Sequence, residues 1–475
     1  MNSLLDMSAM QIASAIQTRT ISVTEVVETH IRRIEEVNDK LNAVIDPRFE
    51  QARKEALAAD AHLASTSDPL PSLFGVPCTI KEFIAVKGQS HTGGLAARKG
   101  IKATEDAVLV QRLKDAGAII LGSTNGPEGG LWMETYNTVY GRTENPWNPK
   151  HTAGGSSGGE GAILSAGGSA FGIGSDVGGS IRIPAAFCGI VGHKPTGALV
   201  PTMGHQPPGH VGASLVAGPM ARRVEDIWPI LTTIAGPSPR DPHVQAFSLG
   251  DPKAVDLSRL RVYSIDRPPW ATTRSYVRET QAKAVDALAA RGATLLPLRL
   301  PALNHAIEIW SASLQEAEQN TYDVILGDGQ RISAGWELLK WPFTQSPYTF
   351  PALVVAFGER FAGLLKKRSA KMVELGHQLR QELADHLRDD AVLLYPSYTR
   401  AAPRHHHALL TPTDWVCTAI FNILHNPVTQ VPLGFAPNGL PMGLQVVAGP
   451  GMDHVCVAAA QVIEEAHGGW TRSMT

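Results

Sequence analysis

Two serines of this chain sit in turns built almost wholly of glycine. One turn is Gly154-Gly155-Ser156-Ser157-Gly158-Gly159, and the other runs Gly174-Ser175-Asp176-Val177-Gly178-Gly179-Ser180-Ile181-Arg182-Ile183-Pro184. A serine hydroxyl becomes a nucleophile when a neighbouring group takes its proton. Hydrolysis of a resonance-stabilised amide needs that nucleophile, donors for the oxyanion, and a proton for the departing nitrogen. The glycines answer the second need, because residues without side chains ahead of Ser180 let the N–H groups of Val177, Gly178, Gly179 and Ser180 converge on one oxygen. Glycine also favours a tight turn packed against a helix, so either half of the pattern alone leaves the choice open. Asp176 and Arg182 flank the second turn and read as supports for its backbone and for Ser157 rather than as substrate contacts.

The elements that must position these turns follow an α/β alternation. Met10, Ile12, Ala13 and Ile16 recur at helical spacing, and Ser22 with Glu25 three residues on caps a second helix through Val26, Ile31 and Ile34. These two helices are expected to precede the first strand, Gly75-Val-Pro-Cys-Thr-Ile80, with Lys81 at or just past its end, where α/β folds place chemistry. A helix from about Ala107 to Ala116 leads into the apolar run Ala118–Gly122, and a turn-rich segment reaches Gly159. Residues 154 to 197 are dense in glycine and serine, but interleaved apolar residues argue for a folded core with close backbone approach rather than a linker. Strand, helix and strand recur over 259 to 300, so the expectation is one α/β domain spanning 1–475 with a large mixed sheet flanked by helices on both faces. Residues 336 to 368 gather Trp336, Trp341, Phe343, Tyr348, Phe350, Phe357 and Phe361 among prolines and end in Lys366-Lys367-Arg368. Such rigid apolar surface suits a substrate channel or lid as well as a plain core, and a lipid interface is a weaker alternative with no second anchoring signal.

Composition narrows the function classes. Hydrophobic residues at 43% and charged residues at 18% fit a large packed enzyme rather than a disordered chain. A net charge of -2 offers no field for phosphate backbones, so nucleic acid is not an expected partner. Cys78, Cys188, Cys417 and Cys456 lack metal-ligand spacing and read as reduced, buried thiols, with neither disulfide nor zinc. No cofactor is called for. The first residues show no secretory leader, and no run approaches 18 apolar residues, so the cytoplasm is the expected location. His405-His406-His407 could suggest a metal, yet three adjacent histidines cannot face one ion, and a solvated loop is expected.

Taken together, the two glycine-rich turns resemble the amidase signature family, defined by a GGSSGG turn followed by a GSDxGGSxRxPA run. The dense match spans Asn145 to Thr196. Looser similarity reaches Lys81 in Thr-Ile-Lys-Glu, Asn145-Pro-Trp, Asn426-Pro and Gly439-Leu-Pro-Met-Gly-Leu-Gln445. The resemblance implies that Ser180 is the nucleophile, Ser156 a bridging serine on a cis peptide, and Lys81 the base, with Val177, Gly178, Gly179 and Ser180 around the oxyanion. It also places Gly129, Gly130 and Leu131 beside the scissile bond as a wall of the acyl pocket. A lysine can serve as a base only when burial keeps its amine neutral, and the apolar strand before Lys81 provides that setting.

Gly154-Gly-Ser156-Ser-Gly158 also fits the G-x-S-x-G nucleophile elbow, but the elbow needs a strand upstream, where Glu144 to Thr152 holds two prolines. Gly189-Ile-Val-Gly192-His-Lys has neither the spacing nor the ending of a phosphate loop. Within the family, the rival is the glutamine-dependent amidotransferase subunit. Ile183 stands where those subunits resemble one another in having glutamine, and Ser214-Leu-Val-Ala-Gly218 lacks their Ser-Leu-Asp-type run. A non-catalytic scaffold conflicts with the filled triad positions. The turns look especially like those of fatty acid amide hydrolase and of aryl acylamidase or urethane-cleaving relatives, which implies a small-molecule amide or carbamate substrate with an apolar or aromatic substituent; monomer and homodimer both stay open.

Overall fold

The computed structural model describes residues 4–208, 212–317, 320–362 and 366–473, the side chains of 360–362 and 366–368 excepted. Helix α1 (Ala9–Gln17) starts with a reciprocal cap: the Ser8 hydroxyl accepts from the Gln11 N–H, and the Gln11 side chain accepts from the Ser8 N–H, both at 3.1 Å. Helix α2 (Val23–Leu41) is capped by Ser22, whose hydroxyl accepts from the Glu25 N–H at 3.0 Å, and it buries Val26, Ile31 and Ile34. The chain then departs from the expected order. A short strand β1 (Val44–Pro47) and a helix α3 (Phe49–Ser65) intervene before the strand that carries Lys81. Helix α3 buries only Ala52, Ala56 and Leu63, an apolar stripe too thin to stand out as a period.

Strand β2 (Pro77–Lys81), helix α4 (Val108–Asp115) and strand β3 (Ile119–Thr124) fall where the sequence places them. A small ribbon of β4 (Tyr136–Asn137) and β5 (Gly141–Arg142) follows. The signature segment forms α5 (Gly158–Ser165), β6 (Phe171–Asp176), α6 (Arg182–Cys188) and β7 (Val191–Lys194). Beyond it come β8 (Val216–Ala221), α7 (Ile227–Ile234), β9 (Arg261–Ser264), α8 (Ser275–Ala289) and β10 (Thr294–Leu296). Five helices then run in succession: α9 (Ala306–Ala317), α10 (Tyr322–Leu326), α11 (Ala334–Lys340), α12 (Phe350–Ala362) and α13 (Lys366–His386). The chain closes with β11 (Ala391–Pro396), α14 (Val416–Ile423), β12 (Val428–Phe435), β13 (Pro441–Val447) and α15 (Asp453–His467).

Eleven strands make one mixed sheet in the order β1-β3-β2-β6-β8-β7-β12-β13-β11-β9-β10. Strands β3, β2 and β6 run parallel to one another, as do β11, β9 and β10, and antiparallel pairs join the two parallel groups. The period-two alternation of a strand sends neighbours to opposite faces. In β11, Val392 and Leu394 join the core that also holds Ala284 of α8 and Val455 of α15, whereas Leu393 and Tyr395 join a second core with Ile309 of α9, Leu379 of α13 and Phe421 of α14. Helices therefore cover both faces. The four cysteines are free and buried. Among the described residues, no helix is long and apolar enough to cross a membrane.

Candidate active site

Lys81 ends β2 with its side chain fully buried. Its Nζ lies 2.6 Å from the Ser156 Oγ and 3.0 Å from the Ser175 Oγ, and 4.6 Å above the Phe83 ring. Burial pulls its pKa down to about 7, against the opposing pull of Asp176, Glu160 and Glu82. The amine is thus within reach of its neutral form near neutral pH. Ser156 follows a cis peptide from Gly155, as the resemblance implies. Gly155 leaves no room for a side chain: a Cβ there would stand 2.4 Å from the Trp132 carbonyl oxygen.

Ser180 lies between β6 and α6, and the carbonyl of this residue accepts from the Ser157 N–H at 3.0 Å, which ties the two glycine-rich turns together. Asp176 organises the loop between them. Burial would raise its carboxyl, but the Arg182 guanidinium and the hydrogen bonds it accepts hold it well below the usual carboxylate range. Its Oδ1 accepts from the Gly179 N–H at 2.7 Å and its Oδ2 from the Ile181 N–H at 3.0 Å. Arg182 pairs with it at 2.9 Å, with both side chains inaccessible to solvent, and also donates to the Thr418 carbonyl, Gln445 and Asn422. Both residues brace the turn from behind, as the sequence suggests. They do not hold Ser157, whose hydroxyl instead meets the backbone of Ser175.

The expected oxyanion donors are not equivalent. The Gly179 N–H is already given to Asp176, while among the described residues no protein acceptor takes the N–H groups of Val177, Gly178 or Ser180. Gly179 serves by its shape: φ is +119°, and a Cβ would lie 2.0 Å from the Thr418 Oγ1.

Ser156, Ser175 and Ser180 share a cavity of about 400 Å³ with Gly129, Gly130 and Leu131. The acyl-pocket residues taken from the resemblance therefore do stand beside the serines. Gly129 and Gly130 have φ of +63° and +83°, so the turn depends on glycine at both. An adjoining cavity of about 360 Å³ shares Leu131, Val177 and Ser180 and is walled by Trp310, Trp415 and Leu314. Trp310 and Trp415 meet edge to face with ring centroids 4.7 Å apart. None of the described aromatics of 336–368 lines either cavity. Trp336, Trp341, Phe343 and Phe357 are exposed, and that segment contributes Val354, Val355 and Glu359 instead. The side chains of Phe361 and of Lys366 to Arg368 lie outside the described residues. A third cavity, about 440 Å³ beside Arg274, Arg400 and Arg404, shares no residue with these two.

Sequence reasoning missed Ser175 and His205. Ser175 lies inside the signature run but carries no pattern of its own, while His205, lining the same cavity, has no local signal. The histidine run is exposed at His406 and His407, as a solvated loop requires, and departs from that expectation at His405. His405 is not solvated: it sits between Glu134 at 3.0 Å and Glu144 at 2.9 Å, and these partners raise its pKa to about 9 against the cost of burial.

The site thus brings together a buried lysine against a serine, a second serine in the same cavity, and backbone N–H groups with no protein acceptor among the described residues. Comparison with known proteins gives the family. The Amidase family model matches residues 25–457, and the chain belongs to that family. The chain is 40% identical to fatty-acid amide hydrolase 2 of Homo sapiens, over 98% of this chain and 90% of that one. It is 32% identical to an acylamidase of Rhodococcus erythropolis, over 93% and 91%. The solved structure of 6-aminohexanoate cyclic dimer hydrolase with its substrate matches at a TM-score of 0.81 and 26% identity, over 99% of each chain. The protein is an amidase-type hydrolase acting on amides.

Proposed function

We propose that Ser180 attacks the carbonyl carbon of an amide, passing its proton to Ser156 as Ser156 passes its own to Lys81. The resulting oxyanion is held by the N–H groups of Val177, Gly178 and Ser180. The same relay, run backwards, hands a proton to the leaving nitrogen, and water then releases the acyl group from Ser180. The observation that carries this reading is the 2.6 Å approach of the Lys81 Nζ to the Ser156 Oγ in a buried setting that brings the amine to about 7. Nothing in the relay calls for a metal or cofactor.

The substrate is read as an amide with an apolar or aromatic substituent. Support comes from the largely apolar cavity beside Ser180, with Trp310, Trp415 and Leu314 in its wall, and from relatives named for fatty-acid amides and acylamides. A carbamate differs by one alkoxy oxygen and passes through a similar oxyanion, so the same donors serve it. The test is a turnover panel of a fatty amide, an aryl amide and an aryl carbamate on the purified chain. Apolar amides should turn over, and Ser180→Ala should lose roughly 10³-fold or more while its circular dichroism stays unchanged. Retained turnover in Ser180→Ala would overturn the assignment, and an untouched carbamate beside a well-cleaved amide would remove the urethane reading alone.

A further inference from the structure

His205 stands one hydrogen bond away from the base without touching it. Its Nδ1 is 2.9 Å from the Pro207 carbonyl oxygen, and its Nε2 is 2.9 Å from the Ser175 Oγ, the hydroxyl that also lies 3.0 Å from the Lys81 Nζ. The segment that carries it is paired with the chain just after Lys81: the Gln206 N–H donates to the Phe83 carbonyl at 2.8 Å and the Ala85 N–H to the Gly204 carbonyl at 2.9 Å. The imidazole meets the Phe83 ring edge to face at 6.0 Å. Its place beside Lys81 is therefore set by backbone pairing on both sides.

The direction of every bond in this chain follows from chemistry. A carbonyl oxygen only accepts, so Nδ1 carries the hydrogen; a neutral imidazole has a single N–H, so Nε2 must accept. Burial, reinforced by the nearby Lys81, pulls the imidazole down to about 3, which keeps it neutral. The Ser175 hydroxyl then spends its only hydrogen on His205 and can only accept from Lys81.

We propose that His205 is a positioning residue that, through Ser175, fixes the polarity of the hydrogen bonds at Lys81 and keeps the lysine lone pair free for the proton of Ser156. Without the imidazole acceptor, the Ser175 hydroxyl turns and donates to that lone pair, competing with Ser156. In the productive arrangement Ser180 loses one proton, Ser156 loses one and gains one, and Lys81 gains one. The ammonium so formed still donates to Ser175, so the arrangement serves both directions of the relay. This inference rests on the roles proposed above for Ser180, Ser156 and Lys81.

The test compares His205→Phe, His205→Gln, Ser175→Ala and the double variant His205→Phe/Ser175→Ala, each checked for folding by circular dichroism. The readouts are kcat, KM and the pH profile of kcat/KM on one amide. The groups facing Lys81 are Asp176, Glu160 and Glu82, and those facing His205 are Lys81 and His91. His205→Phe should lower kcat roughly tenfold with KM little changed, the order of one misdirected hydrogen bond. Its acid limb should move to lower pH, because donation to the lone pair favours the neutral amine. His205→Gln, whose amide oxygen can accept from Ser175, should recover most of the loss, and the double variant should be no worse than Ser175→Ala alone. Equal losses in His205→Phe and His205→Gln with an unmoved acid limb would overturn the proposal, as would additive losses in the double variant. If His205→Phe does not fold, the acid limb of His205→Gln against that of Ser175→Ala decides: the proposal requires the former near the wild-type position and the latter displaced. Lys81→Met or Ser180→Ala retaining turnover would instead sink the triad itself.

Discussion

At the scale of single residues, the site turns on one amine. Lys81 ends an apolar strand, and burial brings its pKa to about 7, so the proposed base would titrate in a measurable range. A base must be deprotonated, so kcat/KM should rise with pH along an acid limb centred near 7 and level off above it. Lys81→Met should remove the limb along with about 10³-fold of the rate. A limb that survives in Lys81→Met would assign it to another group. The two serines could be chosen from the sequence because a repeated glycine-serine pattern is local, and Lys81 by its place at the end of a strand and by the resemblance. Ser175 and His205 could not, because the contact of Ser175 with Lys81 and that of His205 with Ser175 join positions 81, 175 and 205 through the pairing of the segment after β2 with residues 204–206. The spent N–H of Gly179 was equally hidden, since only the folded loop shows Asp176 turning back onto it.

At the scale of elements, the helical period placed α2, and continuous apolar runs placed β2 and β3, which are buried along their whole length. The thin stripe of α3 and the four-residue β1 lie below what spacing can distinguish. The aromatic segment shows the opposite failure: its composition announced apolar surface but not direction, and Trp336, Trp341, Phe343 and Phe357 are exposed while Val354 and Val355 face the cavity. The proposed apolar substrate would then be read by helix α9, which brings Trp310 and Leu314 to the wall. Leu314 borders both cavities, so Leu314→Trp should fill space used by a bulky substituent. A loss of roughly tenfold or more in kcat/KM for a long fatty amide, with a small amide within about twofold of wild type, is the expected outcome. Equal losses on both substrates would return α9 to a structural role.

At the scale of the whole molecule, the mixed sheet is what makes a single site from distant stretches of chain. Parallel pairing of β2 with β6 sets the end of one strand, Lys81, beside the end of the other, Ser175 and Asp176. The C-terminal part closes the back of the nucleophile turn through Thr418, Asn422 and Gln445, all bonded to Arg182. The proposed nucleophile and relay, with the brace behind them, are thus brought together by one sheet, and the proposal requires that this assembly activate Ser180 and no other serine. A fluorophosphonate, which traps activated serine hydroxyls, reads that claim directly when intact mass and peptide mapping are applied to the labelled chain. The account predicts one adduct per chain, on the peptide bearing Ser180, absent from Ser180→Ala and strongly slowed in Lys81→Met. An adduct on Ser156, or labelling undiminished in Ser180→Ala, would contradict it.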